Sequence, residues 1–350
     1  MQIKDYNYLS KLLHKLVLGN RFILNSLFDL DSFIYRSKIN LEQKRLNSHI
    51  YISGLARSGT TILLRSLYDT NKFASLTYND MPFILSPNLW SKINNTSSSK
   101  NYKYASQNTK IKVKIESPEA FEEVFWKLFS GKKYKSKEFL NIIDHNEDVL
   151  KIYEKFINLI LLRYDKDLYI SKNNNNILRL DSIREVFPNS IIIVPYRDPI
   201  QQSISLLNQH KYFLELNKKD YFSKKYMDYL GHYEFGENHK KFNLPEDFLK
   251  DYEYSNDPLS LNYWLIQWLK VYSHVLKLND QKNLKILFLG YENFCSDPNY
   301  YLDYIFKKID TEVLIKDKLK LSKASNIDAE IDDEKLRKYV YSIYEKLNNS

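Results

Sequence analysis

The chain has 350 residues, with 52 Lys and Arg against 43 Asp and Glu for a net charge of +9, and its 43% hydrophobic and 15% aromatic content excludes a disordered chain. Only seven residues are glycine and one, Cys295, is cysteine. This excludes collagen-like and Gly-linker architectures, a disulfide framework and any multi-cysteine metal centre. No apolar run reaches the ~18 residues of a membrane span, and lysine and histidine interrupt the N-terminal apolar stretch where a signal-peptide core would lie. The expectation is a cytoplasmic protein without an integral membrane segment.

In chain order, Leu9, Leu12, Leu13, Leu16, Phe22, Ile23 and Leu27 recur at helical spacing and predict one or two amphipathic helices covering the core within 5–35. A strand follows at 49–53 and a helix at 60–69. Residues 91–110 are almost devoid of apolar side chains and read as a polar excursion. Ser117-Pro118 has the form of a helix start, with Glu119 to Phe129 behind it. Then come a helix near 147–164, a strand at 168–171 and a helix near 177–187. The run Ser190–Pro195 (SIIIVP) is a continuous β-branched stretch of the kind buried on both faces of a parallel sheet. A helix at 200–210, a second polar, Tyr-rich region at 211–258 expected to form helical pieces covering a cleft, a helix carrying Leu261, Trp264, Leu265, Trp268 and Tyr272, and a strand at 285–289 complete the series; the rest reads as helical. Such alternation predicts an α/β fold with a parallel sheet and right-handed crossovers. The expected organisation is an N-terminal helical segment (1–47), a main domain (48–325) and a C-terminal helix (326–350). His232 and His239 lack a third ligand and are expected at the surface rather than on a metal; no metal is expected.

Two of the seven glycines fall in one window after the first strand, Gly54-Leu-Ala-Arg57-Ser58-Gly59-Thr60-Thr61. A strand, a Gly-bounded turn and a helix start form a phosphate-binding layout, in which backbone N–H groups converge on an anion. A nucleoside triphosphatase carries G-x-x-x-x-G-K-[ST] here. This chain has Thr60 in place of that lysine and a cation inside the loop, at Arg57. No acidic residue of the magnesium-binding kind follows the later strands. These features suit a smaller, less charged transferable group than a γ-phosphate. Arg197 leaves the end of the SIIIVP strand, where ligands bind in open α/β sheets, and its planar fork suits a phosphate. Asp198 is placed to cap the next helix.

The sequence resembles the sulfotransferases that use 3′-phosphoadenosine 5′-phosphosulfate (PAPS). Ala56-Arg57-Ser58-Gly59-Thr60-Thr61 is similar to their 5′-phosphosulfate loop, and Tyr196-Arg197-Asp198-Pro199 with Ser205 to their 3′-phosphate element. Lys172, ahead of Phe187-Pro188, and Tyr291-Glu292 with Asp297-Pro298 match two further segments in the family's order, over about residues 48–300. Asn176 stands where many bacterial members carry histidine, and the Arg-Lys-Gly loop of the cytosolic animal enzymes is absent. The resemblance implies a three-layer sandwich of the P-loop-like sulfotransferase kind and PAPS as donor. It also implies a hydroxyl or amine acceptor of glycan, lipid-linked sugar, peptide or small-alcohol type, with a carbohydrate-like one favoured.

Sulfuryl transfer is mostly positioning and electrostatics. Arg57, Ser58, Gly59, Thr60 and Thr61 are the expected donor-binding residues of the first loop, with Arg197 and Ser205 in the second, and Lys172 is a further cation. The proton acceptor is expected at Asp80, which falls where the protein-tyrosine branch carries its glutamate, with Glu116 next and Glu122 and Glu123 behind. Two other readings are a P-loop kinase or NTPase, against which the missing lysine argues, and a non-catalytic basic binder. The basic residues are dispersed among 43 acids with no stripe, so nucleic acid is not expected as a partner.

Overall fold

The computed structural model describes residues 6–39, 46–94, 115–245, 256–311 and 329–350, with 104–105, 112–113, 319, 321 and 327 between them. Most of the polar excursion expected at 91–110, and residues 246–255 of the second one, lie outside these.

The expected alternation of strands and helices is realised as a parallel sheet of five strands. They are β1 (Ile50–Ile52), β2 (Phe73–Ala74), β3 (Leu168–Lys172), β4 (Ile191–Tyr196) and β5 (Leu287–Gly290), in the order β2-β3-β1-β4-β5. The central strand is wholly buried, with Ile50, Tyr51 and Ile52 at 0% exposure, as a strand covered on both faces requires. Ile52 is paired with Lys172 on one side and Ile193 on the other, and Tyr196 is paired with Gly290. Because all five run the same way, the residues following them emerge at one edge.

Helices cover both faces. The ones used below are α1 (Tyr8–Leu18), α2 (Arg21–Tyr35), α3 (Thr60–Tyr68), α4 (Glu147–Tyr164), α5 (Pro199–Lys219), α6 (Leu261–Lys282) and α7 (Glu334–Asn348). Trp264 and Trp268 on α6 are core residues, at 2% and 0% exposure. Two caps set helix starts beside the sheet edge. Asp198 accepts from Gln201 N at 2.9 Å to begin α5, and Asn146 accepts from Val149 N at 3.0 Å to begin α4.

Three sequence-based expectations are corrected. The helix after Ser117-Pro118 begins only at Glu123, because Pro118 bridges to Thr77 and Glu119 N donates to Leu76 O, holding 117–119 extended. The helix expected at 200–210 runs on as α5 to Lys219, and beyond the helix Tyr221–Leu230, one of the helical pieces expected there, Lys241–Asn243 is a strand paired in parallel with Phe139–Asn141. The leucine stripe of α1 does not cover the core. Its buried residues are His14, Val17 and Leu18, while Leu9, Leu12, Leu13 and Leu16 are exposed.

A buried polar network underlies the turn after β3. Arg179, 1% exposed, pairs with Glu123 at 3.1 Å, donates to Tyr134 Oη at 2.9 Å, and lies over the Trp126 ring. Asn173 donates to the same Glu123 at 2.8 Å. Next to it, Glu122 accepts from Trp126, Tyr153, Tyr169 and Asn176. Removing one partner of a buried pair leaves an uncompensated charge, which costs about 3–5 kcal/mol. Glu123→Gln is therefore expected to lower the urea-unfolding free energy by about 3 kcal/mol; a change under about 1 kcal/mol would mean the pair is not buried as described.

Burial pushes the His145 imidazole down to about 4 and that of His239 down to about 3. The unfolded chain then binds protons near pH 6.5 that the folded chain does not, so stability falls as pH drops below that value. Each histidine contributes a slope of up to about 1.4 kcal/mol per pH unit. Urea titrations at pH 7 and 5 should show this loss, and His145→Gln should reduce it.

Candidate functional site

The loop after β1 is bent by three residues with positive φ: Gly54 (139°), Arg57 (69°) and Gly59 (89°). Glycine is required at 59 for a second reason, since a Cβ there would lie 2.4 Å from the Tyr291 ring. Positive φ is uncommon for arginine and marks a position held by its surroundings. Gly59 is the N-cap of α3 and offers no side chain to the helix, so the first-turn amides at Thr60 and Thr61 keep their capacity for an anion.

Residues from the other strand ends meet this loop. Arg57 Nε donates to Ser205 Oγ at 2.9 Å, joining the first motif to α5 across 148 positions of sequence. Arg197, at the end of β4, lies over the Tyr291 ring at 5.2 Å and sits 3.4 Å from Glu292 Oε1. Burial, and next the Arg197 guanidinium, hold Arg57 below its usual pKa. Burial holds Glu292 above the usual carboxylate range, with Asp198 adding to the shift against Arg197 and backbone donors. The site thus sets two arginines close together beside a carboxylate whose charged form is disfavoured. Such a cluster favours an anion with several negative groups.

A buried glutamine fixes the loop from behind. Gln202 Nε2 donates to Leu55 O at 3.3 Å and Ala56 O at 3.0 Å, while its Oε1 accepts from Trp268 Nε1 at 3.0 Å. Ser58 Oγ also donates to Leu55 O, at 2.9 Å. Sequence reasoning passed over Gln202; its signal is a polar residue between buried Ser203 and Asp198, one turn before buried Leu206.

Lys172 ends β3 directly beside the loop, because it pairs with Ile52 and the next residue's N–H donates to Ile52 O. Its Nζ lies 3.4 Å from Glu119 Oε1. Burial pushes the Glu119 carboxyl up, but Lys172, His232 and Arg65 together hold it below the ordinary range, so it is ionised. Glu119 was hidden in the sequence behind the helix start expected at Ser117.

The two carboxylates expected as proton acceptors differ in their surroundings. Asp80 is 1% exposed and closes a capping box: its Oδ2 accepts from Thr77 N at 2.8 Å and from Tyr164 Oη at 2.5 Å. Burial raises its pKa. Glu116 is exposed, and both act on the Tyr68 phenol, which burial first and then these acids push up to about 12. Glu122 and Glu123 are consumed by the buried network described above.

A small cleft of about 20 Å³ abuts the loop at Leu55 and Ala56, walled by Trp264 and Phe242. Three buried polar atoms on its lining residues have no hydrogen-bond partner: Asn174 Oδ1, Asn175 Oδ1 and Gln267 Nε2. His239 also lines it, neither exposed nor near His232: its ring contacts Tyr263 Oη and Tyr233 O, whereas His232 contacts Ala120 O. No cluster able to hold a metal ion occurs among the described residues.

Comparison with known proteins gives a consistent result. Residues 49–239, more than half the chain, match the model of the sulfotransferase family. A search of curated proteins finds no match. Among solved structures, the sulfotransferase STF1 from Mycobacterium tuberculosis is similar with a TM-score of 0.50 at 11% identity, over 100% of this chain and 88% of that one. A sulfotransferase domain from the curacin biosynthetic pathway gives 0.43 at 14% identity, over 87% and 98%. STF9 from Mycobacterium avium gives 0.42 at 12% identity, over 77% of this chain and 65% of that one. At 11% identity the likeness to STF1 speaks for the fold alone, the P-loop-like fold of the sulfotransferases. The family match speaks for the chemistry: the chain belongs to the sulfotransferase family.

Proposed function

We propose that the protein transfers a sulfuryl group from PAPS to a hydroxyl of a carbohydrate-like acceptor. The observation that carries the donor reading is the placement of Arg57 and Arg197 together at the uncapped start of α3. The residues fit a ligand with two separated anionic groups. The loop amides, Thr60 and Thr61 receive the 5′-phosphosulfate, and Arg197 with Ser205 the 3′-phosphate. When bound, PAPS supplies the sulfuryl group and a phosphate leaving group.

The chain's own groups then have distinct tasks. Arg57 and the loop N–H groups offset the charge that grows on the leaving oxygen, as preorganised donors do. Lys172, beside the loop, adds a second cation. Glu119 takes the acceptor proton: it is ionised, only partly buried, and 3.4 Å from Lys172. Asp80 is assigned instead to holding the turn at 77–81, since three donors already occupy its Oδ2.

Adenosine 3′,5′-bisphosphate should raise the melting temperature while ATP with magnesium does little, and Arg197→Ala should remove the effect. Stabilisation by ATP–Mg alone would contradict the donor assignment. With labelled PAPS and an acceptor extract, Arg57→Ala should reduce transfer by about 10²–10³-fold.

Glu119→Gln should lower kcat by about 10²–10⁴-fold with little change in melting temperature. The wild-type acid limb should fall below the ordinary carboxylate range, as the lowered Glu119 pKa requires. Asp80→Asn should chiefly lower the melting temperature. The reverse pattern would return the proton to Asp80.

A further inference from the structure

The N-terminal helix pair carries a feature that sulfuryl transfer does not use. On α1, Leu9, Leu12, Leu13 and Leu16 form a stripe on the face opposite buried His14, Val17 and Leu18, with Leu9 exposed by 72% and Leu16 by 51%. On α2, Leu24, Phe28 and Tyr35 are buried, while Phe22 and Phe33 are exposed by 79% and 64%. Leu30 and Ile34 are exposed beside them. The two helices contact each other and are joined through Gly19 and Asn20. Soluble monomers rarely leave so much apolar surface together without a partner.

The charge around this surface is one-sided. Residues 6–39 contain Lys11, Lys15, Arg21, Arg36 and Lys38 against Asp29 and Asp31. Asp31 is wholly buried and hydrogen-bonded to Asn88 and Leu89 N, so it offers nothing to the outside. At the turn between the helices lies a surface cavity of about 480 Å³, whose lining includes Arg21, Lys127, Lys132 and Lys135 with a single acid, Asp228. Asp228 is matched by Lys135 at 3.0 Å. Lys127 donates to the carbonyls of Asp228 and Tyr229, and Arg21 donates to Leu128 O at 2.6 Å.

We propose that α1 and α2 dock on an anionic phospholipid bilayer. The leucine stripe, Phe22 and Phe33 enter the boundary between headgroups and acyl chains, and the excess of basic over acidic residues along the two helices draws them to the anionic surface. Amphipathic helices lie in that plane by the same combination of apolar insertion and basic flanks. A second copy of this chain is the poorer occupant, because a symmetric contact would set these five basic residues against their equals. No described helix is long and apolar enough to cross a membrane, so the attachment is peripheral.

Flotation of the full chain with phosphatidylcholine vesicles, with and without phosphatidylglycerol, tests this. The wild type should bind the anionic vesicles at least about tenfold better, and lose much of that advantage in high salt. Leu9→Glu with Leu16→Glu should reduce binding about tenfold or more without lowering the melting temperature, since both side chains are exposed. Absence of binding, or equal binding to both vesicle types, would overturn the proposal. A dimer in sedimentation that Leu9→Glu with Leu16→Glu dissociates would overturn it too, giving the face to a second copy. Vesicle binding requires no donor, so it is read independently of sulfuryl transfer.

Discussion

Two guanidinium groups held near each other at one end of a parallel sheet are the constraint around which this molecule is arranged. Arg57 sits in a left-handed backbone position, is partly buried, and faces Arg197. Each circumstance is unfavourable without an anion: left-handed strain costs about 1–2 kcal/mol for a residue with a Cβ, and like charges destabilise one another. The arrangement persists because it is over-determined. Gln202 holds the backbone carbonyls just before Arg57, Ser205 holds its Nε, and the Tyr291 ring fills the space that glycine leaves at 59.

The sheet supplies the coincidence in space. Parallel pairing of β3, β1, β4 and β5 brings Lys172, the phosphate loop, Arg197 and Tyr291 to one edge, although they are spread over more than two hundred positions. Behind β3, the buried Glu123–Arg179 pair and the four donors to Glu122 fix the turn that follows Lys172. Two glutamates that look like candidate bases in the sequence are thus structural. A third, Glu119, is left partly open and ionised because Pro118 bridges to Thr77 and no helix forms there.

What the sequence made legible follows from this. The loop between Gly54 and Thr61, the strand before Arg197 and the capping by Asp198 are local patterns, in which chain neighbours decide the structure. The parallel sheet was legible from the alternation of strands with helices and from the continuous apolar run of β4, while the two-residue strand β2 carries too short a pattern to be read. Glu119 and Gln202 were not, because their roles depend on partners far away in the chain: Lys172 for one, the carbonyls of Leu55 and Ala56 for the other. The partner of Asp80 was hidden for the same reason, since the Tyr164 hydroxyl that donates to it lies 84 residues on. The α1 stripe misled differently. Helical periodicity reveals that a face is apolar, but not whether that face meets the core.

The central claim is that the arginine pair is built for an anionic ligand rather than for the stability of the empty protein. Urea unfolding of Arg57→Gly, with and without adenosine 3′,5′-bisphosphate, tests it most directly, because glycine relieves both the backbone strain and the repulsion. The account predicts that the variant is at least as stable as the wild type without ligand and gains nothing when ligand is added. A variant that is weaker alone, yet still stabilised by the ligand as the wild type is, would contradict it.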